Sequence, residues 1–387
     1  MEQKKLYAIA SHFIFDGEVV ECVPFGNGHI NDTYRLTCRR TGEEKQEPQG
    51  QGARKQGIPE QSTAQKHYIL QKLNRNVFPR PEEVMENVSG VTEWLKKKIL
   101  ENGGDVSRET LNLVHTHDGS ICYVDPEGEY WRAYLFIENA TTYDLVEKDE
   151  DFYQSAVVFG NFQRLLADYP ASTLHETIEN FHNTPDRFRK FEAALEMDAC
   201  GRAAGIPEEL RFVRERRDLT HVLSDKLDAG LLPLRVTHND TKLNNIMIDN
   251  ETGKAICVID LDTVMPGLSL YDFGDSIRFG ASTAAEDERD LEKVSCSLHL
   301  YEIYVKGFIE GCGGALTDAE LDLLPMGAIL MTFECGIRFL TDYLEGDHYF
   351  KIHREGQNLD RARTQFCLVA DMEKKLPQMK EIVNRYR

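Results

Sequence analysis

The sequence has no uninterrupted apolar run that approaches the roughly 18 residues a membrane-spanning helix needs. Its nine cysteines include no Cys-x-x-Cys pair, and an odd number of cysteines cannot all be paired within one chain. The N-terminal stretch MEQKKLYAIASHF has neither the apolar centre nor the cleavage pattern of a secretory signal peptide. These absences predict a cytoplasmic protein with reduced thiols and no membrane partner.

Positive charge is also scarce. The chain has 45 Lys and Arg residues against 65 Asp and Glu residues, a net charge of −20, which argues against nucleic acid and anionic membranes as partners. With 387 residues, of which 41% are hydrophobic, the chain is long enough for two lobes that each have a core. We expect small molecules as partners, and no feature indicates an obligate protein partner.

The stretch from residue 236 to residue 262 contains the strongest motif. Four of its polar residues match the kinase catalytic-loop pattern His-x-Asp-x-Lys-x-x-Asn: His238, Asp240, Lys242 and Asn245. An apolar run at 255–259 follows and predicts a buried strand that ends on the carboxylate of Asp260. A polar turn without function could contain one or two of these residues, but the complete set in this order favours phosphoryl transfer.

Each residue type suits one part of that chemistry. Asp240 is the candidate base that takes the proton of a hydroxyl nucleophile. Mg²⁺ prefers oxygen ligands, which Asn245 and Asp260 can supply together with ATP phosphates and water. Lys242 is placed to neutralise charge on the migrating phosphoryl group, and we expect His238 to brace the loop by hydrogen bonds.

A second acidic motif competes for the metal. Asp272-Phe273-Gly274 spells the protein-kinase metal motif, but Asp272 lies 32 residues after Asp240, whereas Asp260 lies 20 residues after it. One hairpin and one strand fill the shorter gap, so we assign the metal to Asp260. We expect Asp272 to be an acid at a helix start that hydrogen-bonds the catalytic loop from behind. Asp262 stays open as a second metal ligand, a substrate contact or an acid at a strand end.

The N-terminal part predicts a nucleotide-binding sheet. Gly26 and Gly28 lie in a turn between two strands, where their backbone could approach a phosphate closely, although a simple hairpin turn explains them too. Residues 38–67 are rich in Gln, Glu, Lys, Gly and Pro, which predicts a mobile insertion. The strand that follows points Gln71 and Lys72 to opposite faces, and the sequence does not settle which of them faces the phosphates.

Further strands are predicted at 110–117, 121–125 and 129–137. The last ends near a hinge, where the backbone around Ile137 is the candidate edge for adenine. We therefore predict an N-terminal nucleotide-binding domain at 1–138 and a catalytic and sugar-binding domain at 139–387.

The second domain is predicted to be mainly helical, with a polar structural loop at 179–188. The predicted helices after this loop are at 207–229, 286–311, 316–344 and 358–385.

Several longer stretches resemble the aminoglycoside-phosphotransferase-like kinases, and within them the N-acetylhexosamine 1-kinases. They are GNGHINDTYRL, YILQKLN, WRAYLFIENATTYD, ENFHNTPDRF, HNDTKLNN, VIDLDTVMPGLSLYDFGDSIRFG and FECGIRFLTDYLEGDHYFK. The resemblance implies a protein-kinase-like α+β fold with a small antiparallel sheet lobe and a larger helical lobe. It also implies ATP as co-substrate, Mg²⁺ as cofactor and the 1-hydroxyl of an N-acetylhexosamine as acceptor.

Carried over to this sequence, the resemblance makes Asp240 the base on the anomeric hydroxyl and Asn245 and Asp260 the Mg²⁺ ligands. Arg338 and Tyr349 match positions that resemble sugar or phosphate contacts, whereas the residues alone would predict a surface arginine and a core tyrosine. Two alternatives stay open: a kinase of the same fold that acts on an amino alcohol or aminoglycoside, and a catalytically silent binding module.

Overall fold

The structure is a computed structural model that describes residues 2–26, 30–40, 65–143 and 148–387. Its contacts divide the chain into two compact units. Unit 1 contains Met1–Met85 and Val106–Glu138, and unit 2 contains Glu86–Asp105 and Asn139–Arg387.

The described residues form helices and strands in both units. The α-helices are α1 (Glu2–Ala10), α2 (Pro81–Glu101), α3 (Val106–Glu109), α4 (Asp149–Leu165), α5 (Thr184–Met197), α6 (Pro207–Glu215), α7 (Ser224–Asp228), α8 (Ser269–Gly280), α9 (Leu298–Cys312), α10 (Asp318–Glu345) and α11 (Gln357–Tyr386). The strands are β1 (Glu18–Pro24), β2 (Asp32–Arg39), β3 (Gln65–Lys72), β4 (Leu113–Val114), β5 (Tyr123–Val124), β6 (Tyr130–Leu135), β7 (Ala140–Thr141), β8 (Arg235–Thr237), β9 (Ile246–Asp249), β10 (Ala255–Val258) and β11 (Met265–Gly267).

Unit 1 is built on an antiparallel sheet with the order β1-β2-β3-β6-β4, and β5 also pairs with β6. Apolar residues of α1, among them Leu6 and Ile9, join a buried cluster with Leu70 of β3 and with Trp131 and Ala133 of β6. Because side chains alternate along a strand, this cluster defines the α1 face of the sheet.

The strand limits differ from the predictions in two places. β2 continues to Arg39 and β3 begins at Gln65, so the ends of the predicted insertion at 38–67 are strand residues, and its residues 41–64 lie outside the described part of the chain. The strand predicted at 110–117 is wrong in length, because only the two residues of β4 and a bridge from Thr116 to Phe13 pair. The neighbouring strands pair with this segment over only a few residues. Strand propensity does not predict the length of such pairing.

Unit 2 is mainly helical. Its strands form a three-stranded sheet in the order β10-β9-β7 and a two-stranded ribbon of β11 and β8. Helix α4 packs against α9, and α10 packs against both α8 and α11. The predicted fold class, α+β with an antiparallel sheet region followed by a helical region, is confirmed.

Two predicted helices are interrupted. The one predicted at 207–229 is divided into α6, a short 3-10 turn and α7. In the one predicted at 286–311 the helix begins only at Leu298, where the Ser297 hydroxyl accepts a hydrogen bond from the N–H of Leu300. Before it, Asp290 accepts from the N–H of Glu292 and Thr283 donates to the Lys293 carbonyl. Such bonds between side chains and the backbone compete with helix formation.

One helix among the described residues, α10, is long and apolar enough to cross a membrane by length and composition. In the structure, 78% of its most apolar window is buried within the protein. The core helix of a globular protein has these same properties, so the burial accounts for its composition. All nine cysteines lie in the described part of the chain, and all are free thiols.

Candidate active site

The catalytic-loop motif lies between two short antiparallel strands. β8 pairs with β11, so that Thr237 is opposite Met265. The loop that follows β8 rests on α8, because Asp272 in the first turn of that helix accepts hydrogen bonds from the backbone N–H groups of His238 (2.9 Å) and Asn239 (2.8 Å). The prediction that Asp272 hydrogen-bonds the loop from behind is therefore confirmed.

Asp272 is a buried anchor. It is 1% exposed, and the side chain of Gln163 on α4 donates a third hydrogen bond to it at 2.8 Å. Burial raises the pKa of the Asp272 carboxyl, although the neighbouring His238 and the three hydrogen bonds act in the opposite direction. Its oxygens are thus engaged with the protein, which agrees with a supporting role.

His238 braces the loop, as predicted. The backbone N–H of Asp240 donates to its Nδ1 at 3.3 Å, so Nε2 carries the proton and donates to the carbonyl of Ile259 at 2.8 Å. Asn239 adopts the left-handed conformation (φ 65°), which asparagine tolerates better than most residues. Its side chain donates to the carbonyl of Thr263 at 2.8 Å. These bonds connect the loop to the end of the β9–β10 hairpin.

Three predicted site residues are in direct contact. The Lys242 ammonium lies 2.7 Å from Oδ1 of Asp240, and Nδ2 of Asn245 donates to Oδ2 of Asp240 at 3.1 Å. The Asp240 side chain is still 28% exposed. A carboxylate oxygen has two lone pairs, so each oxygen of Asp240 can accept one more hydrogen bond.

Lys242 remains a cation at neutral pH. Burial lowers the pKa of its ammonium, but the charge and hydrogen bond of Asp240 and the charge of Asp275 outweigh burial and leave the pKa raised. Asp275 itself accepts from the backbone N–H of Thr241 and from the guanidinium of Arg278. A fixed positive charge therefore lies beside the candidate base.

The backbones of the two candidate metal ligands lie at the same end of the β9–β10 hairpin. Ile246 pairs with Val258, and the N–H of Ile259 donates to the backbone carbonyl of Asn245 at 2.9 Å. This bond places Asp260 next to Asn245 along the backbone. Asp260 has φ 58°, a left-handed conformation that is uncommon outside glycine and is concentrated at functional sites.

The chemistry of these donors fits Mg²⁺. The amide nitrogen of Asn245 is engaged with Asp240, which leaves its amide oxygen as the atom that can ligate. Together with the Asp260 carboxylate it forms a pair of hard oxygen donors that phosphates and water would complete. Among the described residues, this hairpin included, no group of three or more His, Cys, Asp or Glu side chains could hold a metal ion.

Arg338 on α10 is enclosed by aromatic rings. Its guanidinium carbon lies 5.4 Å from the ring centre of Phe181, 5.9 Å from that of Tyr349 and 5.5 Å from that of Phe350. Within the described part of the chain, no oxygen lies at hydrogen-bond or ion-pair distance from this guanidinium. An arginine has five donors that need acceptors, so this position can bind the oxygens of a ligand.

Tyr349 lies in a turn that a buried carboxylate holds. Asp342 on α10 accepts from the backbone N–H groups of His348, Tyr349 and Phe350 at 2.8 to 2.9 Å, and from the side chain of Asn358. The tyrosine itself is 69% exposed, so the expectation of a core tyrosine from the residues alone is wrong. The structure thus places Arg338 and Tyr349 side by side.

A buried histidine that the sequence analysis assigned to a structural loop lies close to Arg338. Nδ1 of His182 is 2.8 Å from Oε1 of Glu334 on α10. Its ring contacts those of Phe181 and Tyr271, at centre distances of 4.6 and 5.2 Å. The only signal in the sequence was the polar motif ENFHNTPDRF, because Glu334 lies 152 residues further along the chain.

Unit 1 holds the predicted nucleotide contacts that are described. Gly26 follows β1 with φ 77°, a conformation that favours glycine, and Gly28 lies outside the described residues. Ile137 is buried, two residues after β6 ends. The role of these residues in nucleotide binding stays a prediction.

Gln71 and Lys72 face opposite sides of the sheet, as the alternation predicts. Lys72 lies on the α1 face, where its ammonium pairs with Asp32 at 2.8 Å. On the other face, Oε1 of Gln71 accepts from Nε and Nη2 of Arg132 at 3.0 and 2.9 Å. Arg132 is a buried cation (1% exposed) in register with Gln71, and no motif in the sequence marks it.

A carboxylate, an ammonium group and two oxygen-bearing side chains on one loop and hairpin of an α+β fold are the groups expected in a phosphotransferase of the kinase class. The chain belongs to the phosphotransferase enzyme family (APH), because the sequence model of that family matches residues 21–294.

Solved structures of kinases share the fold over nearly the whole chain. A microcompartment-associated aminopropanol kinase is 16% identical, with a TM-score of 0.58 and 98% of each chain covered. An aminoglycoside phosphotransferase from Alicyclobacillus acidocaldarius is 10% identical, with a TM-score of 0.60, and 98% of this chain and 96% of that one are covered. A choline kinase from Cryptosporidium parvum is 12% identical, with a TM-score of 0.54 and 99% of each chain covered. These matches confirm the predicted kinase-like fold. At such low sequence identity they do not show which acceptor substrate this chain uses.

Proposed function

We propose that this chain is an ATP- and Mg²⁺-dependent kinase that phosphorylates the anomeric 1-hydroxyl of N-acetylhexosamines, N-acetylglucosamine and N-acetylgalactosamine, to give the sugar 1-phosphate. Membership of the phosphotransferase enzyme family supports the reaction class. The sequence resemblance to N-acetylhexosamine 1-kinases supports the acceptor. We also propose that it works in the cytoplasm without nucleic acid, membrane or obligate protein partners.

The surroundings of the Arg338 guanidinium are the main structural support for a sugar as the acceptor. It has three aromatic rings around it and no oxygen partner among the described residues. A second arginine, Arg187, lies close enough that burial and the like charge of Arg338 lower the pKa of its guanidinium. Two neighbouring arginines suit a neutral acceptor rich in oxygen atoms and oppose a cationic acceptor.

The aromatic rings lead to the same preference. Kinases of quaternary ammonium compounds could use ring faces to bind the cation. Here the faces of Phe181, Tyr349 and Phe350 already lie next to the Arg338 guanidinium. A ligand ammonium would have to displace one positive charge and tolerate another.

The catalytic loop accounts for the transfer step. Asp240 accepts the proton of the sugar hydroxyl as the bond to phosphorus forms. Asn245 holds one oxygen of this carboxylate, and Lys242 holds the other while its charge stabilises the transferring phosphoryl group. Asn245 and Asp260 would hold the Mg²⁺ ion, which neutralises charge on the phosphate oxygens when bound.

The nucleotide contacts belong to the proposal as well. Gly26 and Gly28 would approach the phosphates through their backbone, and the backbone at Ile137 would bind adenine. Lys72 is proposed as a phosphate contact, although its ammonium pairs with Asp32 on the α1 face. The hydrogen bond with Asp32 raises the pKa of this ammonium, so Lys72 would reach a phosphate as a cation.

An amino alcohol or aminoglycoside kinase is the rival. The net charge of −20 favours this alternative, because an acidic protein attracts cations at long range. Long-range attraction raises the association rate, whereas the groups that touch the acceptor decide specificity. The arginines at the site therefore outweigh the charge of the whole chain.

A substrate panel with coupled detection of ADP tests the proposal. We expect turnover with N-acetylglucosamine or N-acetylgalactosamine, and none with their methyl glycosides, in which the anomeric oxygen is blocked. Choline, aminopropanol and kanamycin serve as cationic acceptors. Turnover with these cations and none with the N-acetylhexosamines would establish the rival, and equal turnover with the methyl glycosides would place the phosphate on another hydroxyl.

A further inference from the structure

His182 is a buried polar side chain that the transfer step leaves without a role. Its side chain is 8% exposed. Nδ1 contacts Glu334, whereas Nε2 is buried without a hydrogen-bond partner in the described residues. Buried polar atoms in folded proteins almost always have partners, so such an atom indicates a missing ligand or water.

Glu334 determines which nitrogen of His182 carries the proton. Burial raises the pKa of the Glu334 carboxyl, but His182, a hydrogen bond from Thr184 and the charge of Arg338 outweigh it, so the pKa lies below its ordinary value. Glu334 is therefore ionised and can only accept hydrogen bonds. Its oxygens accept from Nδ1 of His182 (2.8 Å) and from the Thr184 hydroxyl (2.6 Å).

With the proton on Nδ1, which donates to Glu334, Nε2 is left as an acceptor. The histidine is thus oriented from behind by a fixed carboxylate, in the way that carboxylates orient functional histidines elsewhere. A histidine with only a structural role would be expected to use both nitrogens inside the protein. Here one nitrogen is anchored and the other is left for a donor that the chain does not supply.

The position of His182 connects it to the proposed acceptor site. Phe181, its neighbour in sequence, contacts the Arg338 guanidinium. Tyr271, whose ring contacts the imidazole, directly precedes Asp272, the anchor of the catalytic loop. Lys242 and His182 both lie close enough to Asp275 to act on the pKa of its carboxyl. His182 therefore lies beside both the catalytic loop and Arg338.

We propose that Nε2 of His182 accepts a hydrogen bond from a hydroxyl or amide N–H of the N-acetylhexosamine, and so contributes to the selection of the acceptor. The proposal rests on the proposed function, since it names that sugar. Arg338 would bind sugar oxygens as a donor, and His182 would bind a sugar donor as an acceptor. Arg338 and His182 together would recognise both the hydrogen-bond acceptors and the hydrogen-bond donors of one sugar.

Two substitutions of His182 separate this role from a structural one. In His182→Asn the amide can reach the position of Nδ1 and donate to Glu334, but no atom occupies the position of Nε2. In His182→Gln the amide oxygen can reach the position of Nε2, while the contact with Glu334 is lost. A structural role predicts that the asparagine variant behaves like the wild type and the glutamine variant is impaired.

Our proposal predicts the opposite order for the sugar KM. For His182→Asn we expect a KM raised about tenfold, with kcat within about twofold and a melting temperature close to that of the wild type. For His182→Gln we expect a KM closer to that of the wild type and a lower melting temperature. His299→Asn on α9, with a side chain that is 70% exposed, is the matched control and should change neither constant.

Sugar analogues locate the donor and provide a second measurement. The wild type should lose affinity for one deoxy sugar, or for a sugar without the N-acetyl group, and this analogue should show no further loss in His182→Asn. The same analogue series on the wild type decides the question if His182→Asn does not fold. An unchanged KM in His182→Asn, or equal KM values for all analogues with the wild type, would overturn the proposed role of His182 but not the proposed function. Absence of wild-type turnover with any N-acetylhexosamine would instead overturn the proposed function.

Discussion

The carboxylate of Asp240 has both oxygens in contact with other residues of the loop. Lys242 lies 2.7 Å from one oxygen, and the Asn245 amide donates to the other at 3.1 Å. These contacts fix the carboxylate before any substrate binds, which lowers the reorganisation that the transfer step requires. The proposed base would be difficult to replace in such a setting.

We predict that Asp240→Asn lowers kcat by about 10²-fold to 10⁴-fold, because an amide cannot take the proton of the acceptor. The asparagine is nearly the same size and can still accept from Lys242, so the melting temperature should change little. Coupled detection of ADP at saturating ATP and sugar measures the effect. Asp225→Asn, where the side chain is 73% exposed, is the control. Turnover of Asp240→Asn within tenfold of the wild type would show that Asp240 is not the base, and absence of turnover in the wild type itself would favour the silent binding module.

Site residues such as Asp240 could be predicted from the sequence, because their spacing alone implies that they share one loop. Asp240, Lys242 and Asn245 lie within six positions, and the structure brings their side chains together. The position of His182 could not be predicted in this way, because its orientation depends on Glu334, which lies 152 residues further along the chain. Tyr349 was misjudged from the residues alone for a different reason: an aromatic residue type suggests burial, whereas hydrogen bonds to the nearby Asp342 hold its turn and leave its side chain exposed.

At the scale of helices, the site depends on how closely α8 and α10 approach. Helix α8 carries Asp272 beneath the catalytic loop, and α10 carries Glu334 and Arg338. Gly274 and Gly327 lie where the two helices cross, and a Cβ atom on Gly327 would lie 2.7 Å from the carbonyl oxygen of Leu270. The absence of side chains at this crossing lets the two backbones touch.

We predict that Gly274→Ala lowers the free energy of unfolding by about 1–3 kcal/mol, because the added methyl group would overlap the Gly327 carbonyl and must push the helices apart. The sugar KM should rise as well, since Arg338 moves relative to the loop. Gly205→Ala is the control, because no atom lies within 4 Å of a Cβ there. Chemical denaturation measures the first effect, and an unchanged stability would show that the helices can separate without loss.

The long helices were predictable because strong local signals mark their ends. Helix α10 begins with a capping box formed by Thr317 and Glu320 and ends at Gly346 in the left-handed conformation. The prediction of 316–344 differs from it by one or two residues. Residues 286–297 were assigned to a helix wrongly, because their fold depends on hydrogen bonds such as that of Thr283 with the Lys293 carbonyl.

The whole chain carries a net charge of −20, yet several of its carboxylates are buried and paired with cations. Glu320 on α10 is the most connected of them. It accepts from Nε and Nη2 of Arg235 on β8 at 2.5 and 2.7 Å, and from the hydroxyls of Ser269 and Thr317. One carboxylate therefore joins the strand before the catalytic loop to α8 and α10.

The pKa of Glu320 makes this connection sensitive to acid. Burial raises the pKa of its carboxyl, but the hydrogen bonds from Arg235, Thr317 and Ser269 outweigh burial, so the pKa lies below the ordinary value of 4.5. A carboxyl whose pKa is lower in the folded than in the unfolded state stabilises the fold fully at pH values above the unfolded pKa. That stabilisation is lost as the pH falls through the folded pKa.

We therefore predict that Glu320→Gln lowers the free energy of unfolding at pH 7 by about 3–5 kcal/mol, since Arg235 stays buried without its anion. The difference from the wild type should shrink as the pH falls below 4.5, because the unfolded wild-type chain takes up a proton there first and the folded carboxyl becomes neutral at a still lower pH. Chemical denaturation at pH 7 and at a series of acidic pH values measures it, with the exposed Glu208→Gln as the control. A difference that stayed constant across this range would mean that the charge of Glu320 contributes nothing and that only the shape of its side chain matters.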